Sequence, residues 1–171
     1  MIRDYALAGV RTYDIEIFAD ERGFFSEVLR QDWREFIGEP IVQVNLSYNY
    51  PDIVRAWHRH LRGQIDYFLV VRGAIKFCAY NEETKQLAEI IAGDKKLMLV
   101  RIPGHYYHGI KAIGSEPSLF LYFVNKLYDY KDPDEQRIPW NDPKIVPLEI
   151  NGSKSDPRVN QPWDWFYPPF K

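Results

Sequence analysis

Gln64-Ile65-Asp66-Tyr67-Phe68-Leu69-Val70-Val71-Arg72-Gly73-Ala74-Ile75-Lys76-Phe77-Cys78-Ala79-Tyr80 is the stretch whose reading decides the fold. Two runs, 65–72 and 74–80, are rich in β-branched and aromatic residues and meet at Arg72-Gly73, a turn pair. They predict two consecutive strands. Tyr67–Val71 is apolar at every position, while Gln64 and Asp66 are polar at alternate ones. Two readings stay open. The strand belongs to a barrel with a dry wall and a polar mouth, or its end simply reaches solvent.

The same texture extends outward on both sides. Further strands are expected at 9–17, 23–29, 41–48, 54–58, 88–91, 96–102, 108–112 and 118–125. Turn chemistry separates them, as at Asn49-Tyr50-Pro51-Asp52, Asn81-Glu82-Glu83-Thr84, Gly93-Asp94 and Pro103-Gly104. Only 32–37 reads as a short helix, with Gly38 as its stop. About ten evenly spaced strands predict an all-β sandwich or barrel. After Asp129 the chain changes character. It holds eight of the twelve prolines, so it makes no central strand, yet it carries Trp140, Trp163, Trp165, Phe166 and Tyr167. We expect one domain over 1–171, with 129–171 as a segment wrapped on its body.

Composition removes several function classes. A net charge of −2 without a basic block argues against a nucleic-acid or anionic-membrane surface. The single cysteine excludes an internal disulfide framework and a cysteine-rich zinc site. No apolar run approaches a membrane span, and no basic-then-apolar leader opens the sequence. A soluble cytoplasmic protein is the expectation.

All four histidines fall in two places, His58 with His60 and His105 with His108. On a strand His58 and His60 share a face. Trp57-His58-Arg59-His60, then Gln64, then Gly73, resembles the first cupin motif; Pro103 followed by His108 resembles the second. A barrel brings both into one cavity. Three histidines and a carboxylate suit Fe, Mn or Zn, but Gln64 stands where the carboxylate belongs. The alternatives are a metal-free site using one histidine as a base, and purely structural roles.

Longer motifs then follow in order. Asp20-Glu21-Arg22-Gly23-Phe24-Phe25-Ser26-Glu27, Gln43-Val44-Asn45-Leu46-Ser47, Val54-Arg55-Ala56-Trp57-His58, Ile102-Pro103-Gly104 through His108-Gly109, and then Tyr122, Tyr128, Glu135 and Trp140-Asn141-Asp142-Pro143 together resemble the dTDP-4-dehydrorhamnose 3,5-epimerases. The resemblance implies a cupin-type jelly-roll fold and an epimerase acting on a nucleotide-linked, dTDP-linked 4-keto-6-deoxy sugar, in dTDP-rhamnose or related cell-surface polysaccharide biosynthesis. It implies His58 as the base that removes the proton alpha to the ketone, Tyr122 as the acid on the opposite face, and Asp156 as the carboxylate partnering the histidine. Arg22, Phe24, Glu27, Gln43, Asn45, Arg55, His60, His108 and Tyr128 are implied as substrate-binding residues. No metal and no cofactor are implied, and the partners are a nucleotide sugar and a second copy of the chain.

The chemistry is sound on its own terms. A ketone at C4 acidifies C3–H and C5–H, because the carbanion is an enolate. Histidine titrates near neutrality, and a held tyrosine can return a proton. An arginine fork suits a diphosphate. Two departures stand out. The family has a lysine where Asp66 stands here, so another cation serves the enolate, with Lys126 and Arg59 as candidates, or the reaction differs. In Ser153-Lys154-Ser155-Asp156 the lysine of the family's S-x-K-D has moved one position, and Asp66 competes with Asp156 as the histidine's partner. A 3,4-ketoisomerase, a metal-dependent cupin and a non-catalytic sugar-binding module are the competing readings.

Overall fold

The computed structural model describes residues 1–168. Among them lie β1 (Ile2–Asp4), β2 (Arg11–Asp14), β3 (Phe18–Asp20), β4 (Gly23–Phe25), β5 (Gln43–Asn49), β6 (Val54–Arg59), β7 (Ile65–Arg72), β8 (Ala74–Tyr80), β9 (Gln86–Gly93), β10 (Met98–Pro103), β11 (Tyr107–Ile113), β12 (Ser118–Val124), β13 (Gln136–Arg137) and β14 (Glu149–Ile150). One sheet runs β1-β2-β10-β7-β12-β5 and a second β13-β6-β11-β8-β9-β14, with β3-β4 as a separate hairpin. The connections cross between sheets, as in a jelly roll.

The apolar stretch 65–80 is explained by three layers of packing. Phe68, Val70, Ile75, Phe77 and Ala79 point between the two sheets and build the central core with Val100, Ile102, Ile110 and Phe120. Tyr67 and Leu69 face the other way, where Phe36 and Ile37 cover them. Cys78 and Tyr80 face outward from the second sheet, where Trp163 and Trp165 cover them. Each strand is therefore buried on both faces and carries no polar alternation. Asp66 shares the inward parity of Phe68 and Val70, and only 2% of its surface is exposed. The polar end of β7 therefore opens into a cavity and not into bulk solvent.

The helix expected at 32–37 does not form. Hydrogen bonds from Phe36 N and Ile37 N to Trp33 O make a single turn. Burial of Phe36 and Ile37 under Tyr67 and Leu69 holds that turn, which is shorter than a stable helical nucleus. The runs expected at 9–17 and 23–29 shrink to β2 and β4, and the expected 88–91 lengthens to β9. β1, β13 and β14 are two or three residues long and have no sequence signal of their own.

From β13 onward the proline-rich segment lies against the second sheet; residues 169–171 fall outside the described residues. Trp165 packs on Trp57 at a 44° tilt with ring centroids 4.8 Å apart, and its indole N–H donates to Trp140 O at 3.1 Å. Arg158 fastens the segment electrostatically. It donates to both oxygens of Asp156 at 2.9 Å and to Glu89 of β9 at 2.7 Å. The Arg158 hydrogen bonds, opposed by burial, hold the Asp156 carboxyl below its ordinary value. A folded-state value below the unfolded one stabilises fully above the ordinary carboxylate range, and that stabilisation fades as pH falls through the folded value. The melting temperature of Asp156→Asn should therefore fall less between about pH 5 and pH 3 than that of the wild type, with the two curves converging at the acid end. Parallel curves would show that the pair is not coupled to folding.

Candidate active site

A cavity of about 680 Å³ opens between the sheets at the polar end of β7. The second sheet contributes His58 from β6 and His108 from β11, which sit opposite one another in the ladder. The first sheet contributes Asp66 from β7, Tyr122 from β12, and Gln43, Asn45 and Ser47 from the inward parity of β5. Arg55, Arg62, Lys126, Tyr128 and Arg137 also line it.

Two glycines let the histidine strands approach. A Cβ on Gly109 would lie 2.8 Å from Ala56 Cα and 2.9 Å from Arg55 O, so β11 can bulge onto β6 only without a side chain. A Cβ on Gly104 would meet Gln64 O at 2.6 Å and His60 Cβ at 3.0 Å. The Gly104 backbone instead accepts from His60 N at 2.7 Å and donates to Gln64 O at 2.8 Å, which pins the His60–Gln64 loop.

The three cavity histidines form one cluster. The ring centroids of His58 and His108 are 4.2 Å apart, those of His58 and His60 5.5 Å. One ring nitrogen from each of the three lies within 4.8 Å of the others. Burial, reinforced by His108, His60 and Arg137, pushes His58 well below the ordinary imidazole value, so it is the free base at neutral pH. His108 is lowered as well, by burial, against the opposing pull of Asp66. Burial, then the carboxylates of Asp66 and Glu135, raises the Tyr122 phenol, which keeps its proton. A free base and a protonated acid thus face one cavity from opposite sheets.

Of the residues singled out in the sequence, His58, Tyr122, Gln43, Asn45, Arg55, His60, His108 and Tyr128 come together here. Arg22, Phe24 and Glu27 do not. Arg22 and Phe24 lie on the β3–β4 hairpin, where Arg22 pairs with Asp20, and Glu27, just beyond it, pairs with Arg30. Asp156, expected to orient His58, is also outside the cavity lining; Arg158, two residues on, takes both its oxygens. Arg59, one candidate replacement cation, points to the outer face, over the Tyr107 ring at 4.3 Å and onto Glu82. The buried carboxylate beside the histidines is Asp66. Its Oδ2 lies 3.4 Å from His108 Nε2 and 4.0 Å from His60 Nε2. Sequence reasoning missed Asp134, whose carboxylate accepts from Leu61 N and Arg62 N and whose carbonyl accepts from His60 Nδ1. It sits more than seventy residues from its partners, and only the return of the chain onto β6 reveals it.

Comparison with known proteins agrees with this architecture. The family model described as the polysaccharide biosynthesis C-terminal domain matches residues 18–136. The chain belongs to this family. Among its relatives, the probable low-salt glycan biosynthesis epimerase Agl13 of Haloferax volcanii is 43% identical, over 77% of this chain and 87% of that protein. The dTDP-4-dehydrorhamnose 3,5-epimerase of Pseudomonas aeruginosa is 31% identical over 82% of this chain and 81% of its own. The crystal structure of an epimerase from Legionella pneumophila, in complex with dTDP-4-keto-L-rhamnose, superposes with a TM-score of 0.75 at 22% identity and covers 85% of this chain and 80% of that one. This member of the polysaccharide biosynthesis C-terminal domain family is thus an epimerase with the fold of the dTDP-4-dehydrorhamnose 3,5-epimerases. No helix among its described residues is long and apolar enough to cross a membrane.

Proposed function

We propose that this epimerase inverts a carbon alpha to the ketone of a nucleotide-linked 4-keto-6-deoxy sugar, with His58 removing the proton and Tyr122 returning one from the opposite face. The observation that carries this reading is the pair itself: an unprotonated imidazole on β6 and a protonated phenol on β12, on opposite walls of one cavity. A planar enolate between them is deprotonated on one face and reprotonated on the other, which inverts the centre. Arg55, Arg62, Lys126 and Arg137 supply positive charge for the diphosphate. The dTDP-sugar bound to the Legionella structure supports the substrate class.

The test is product analysis by NMR with dTDP-4-keto-6-deoxyglucose. A product inverted at C3, C5 or both, with its ketone still at C4, supports the proposal. A ketone moved to C3 marks a ketoisomerase and overturns it. Tyr122→Phe should lower the inversion rate by about 10²-fold, the scale of a lost general acid, while deuterium exchange from solvent continues. Equal loss of exchange and inversion would remove Tyr122 from the acid role.

The reading extends to a homodimer. β5 is an edge strand whose outward residues Val44, Leu46 and Tyr48 are all exposed, beside the exposed Val42 and Tyr50. A long apolar edge of this kind is a template for pairing. A second copy seated there can bring the hairpin residues Arg22 and Phe24, exposed on their own protomer, to its partner's cavity. Leu46→Asp should therefore shift the mass measured by light scattering from two chains to one and raise KM. A wild type that is monomeric at micromolar concentration contradicts the pairing.

A further inference from the structure

Residues 60–65 form the corner between the strand that carries His58 and the strand that carries Asp66, and one stretch of chain grips that corner at two points. Asn125, just after β12, accepts from Ile65 N at 2.7 Å and donates to Gly63 O at 3.1 Å. Asp134 accepts from Leu61 N at 2.9 Å and from Arg62 N at 2.7 Å. Between the two grips, residues 126–133 run as a loop beside the cavity and bring Lys126 and Tyr128 into its lining. The loop has little apolar anchorage, since Leu127, Tyr128 and Tyr130 are all exposed. Its Asp132 pairs with Arg62 at 2.8 Å, but both partners are exposed and such a pair holds weakly.

The Asp134 grip is of another kind. A carboxylate that accepts from two consecutive backbone N–H groups makes charge-assisted bonds. Against the opposing effect of burial, those amides hold the Asp134 carboxyl below its ordinary value, so it stays charged at neutral pH. The carbonyl of the same residue takes the Nδ1 of His60. A carbonyl only accepts, so in the neutral ring Nδ1 carries the hydrogen and Nε2 is left as an acceptor. His60 is buried, lines the cavity and lies 5.5 Å from the His58 ring, centroid to centroid. An acceptor there suits a sugar hydroxyl, which donates; the other tautomer would meet it with an N–H. The carboxylate thus places the carbonyl, and the carbonyl selects the tautomer.

We propose that Asp134 is a positioning residue for the reaction: its carboxylate fixes the 60–65 corner, its carbonyl fixes the tautomer of His60, and His60 Nε2 then accepts from a hydroxyl of the sugar and turns the reacting C–H bond toward His58. Asp134 acts through His60 and does not itself meet the reacting atoms. The effect on rate rests on the enolate reading above, whereas the control of the tautomer does not.

The experiment therefore has two arms, both on the full chain. In the first, the imidazole nitrogens are followed by ¹⁵N NMR without sugar. The wild-type His60 ring is expected as a single tautomer with its hydrogen on Nδ1. In Asp134→Ala it is expected to mix both tautomers, while the Leu61 and Arg62 amides exchange with D₂O about 10-fold faster or more, as a loosened corner requires. A wild-type ring with its hydrogen on Nε2, or a ring unchanged in the variant, overturns the proposal. In the second arm, inversion of dTDP-4-keto-6-deoxyglucose is measured per folded chain. The kcat of Asp134→Ala is expected to fall about 10²-fold, the scale of a misplaced substrate, with KM within about threefold because the cavity arginines remain. An unchanged kcat, or a loss confined to KM, overturns the positioning role. Asp134→Asn keeps one acceptor oxygen and should fall between the two proteins in both arms. If Asp134→Ala does not fold, Asp134→Asn carries both readouts, and identity with the wild type overturns the proposal. The expected tautomer in a protein that inverts no 4-keto sugar supports the grip on His60 and defeats the enolate reading instead.

Discussion

Replacing His58 with alanine should slow solvent exchange at the carbons alpha to the ketone by about 10³-fold, within the range of general-base catalysis. The loss should fall on kcat more than on KM, because the imidazole acts on the proton in flight. His58 faces the cavity across from Tyr122, and among the described residues its ring makes no hydrogen bond that holds another element in place. The variant should therefore melt close to the wild type. Burial and the neighbouring histidines keep the native ring unprotonated, so the base is ready at neutral pH without first losing a proton. Exchange within a few-fold of wild type would mean that another group abstracts the proton. A large fall in melting temperature would mean that the residue is structural.

Trp165→Ala should cost about 3–5 kcal/mol in chemical denaturation, the range for a fully buried large aromatic. Trp165 is 1% exposed and lies between Trp57 and Trp163, with centroids 4.8 Å and 6.1 Å away. Its removal opens a void over the outer face of β6, the strand that carries His58 on its inner face. Its indole N–H also leaves the Trp140 carbonyl. Among the described residues the proline-rich chain has only the two-residue strands β13 and β14 as sheet ladder, so these indoles and the Arg158 clamp hold it together with backbone bonds such as Leu148 N to Lys85 O and Asn151 N to Leu87 O. Limited proteolysis should cut the segment after residue 140 much faster in the variant. A loss below about 1 kcal/mol, typical of surface positions, would mean that the segment is not part of the folding unit.

Much of this was legible in the sequence because period and turn chemistry are local. β7 and β8 were expected with the bounds they have, and of the two histidine pairs expected in one cavity once a barrel was assumed, His58, His60 and His108 line it while His105 does not. Tyr122, Gln43 and Asn45 reached the same cavity by the inward parity of β12 and β5. What failed depended on contacts distant in sequence. The turn at 32–37 looks helical because its apolar residues are spaced like a helix face, but it is a single turn held by packing on Tyr67 and Leu69. Asp156 matched a motif position, yet the nearby Arg158 captured it. Asp66 stands out in the sequence as a misfit, while its place near His108 and His60 requires the two sheets to be closed.

The most direct test of the central claim is to incubate the wild-type epimerase with dTDP-4-keto-6-deoxyglucose in D₂O and follow the sugar protons by NMR. The account predicts deuterium at C3, C5 or both, with the ketone remaining at C4 and the label lost in His58→Ala. A sugar nucleotide that binds the cavity but keeps both of those protons through prolonged incubation would contradict it.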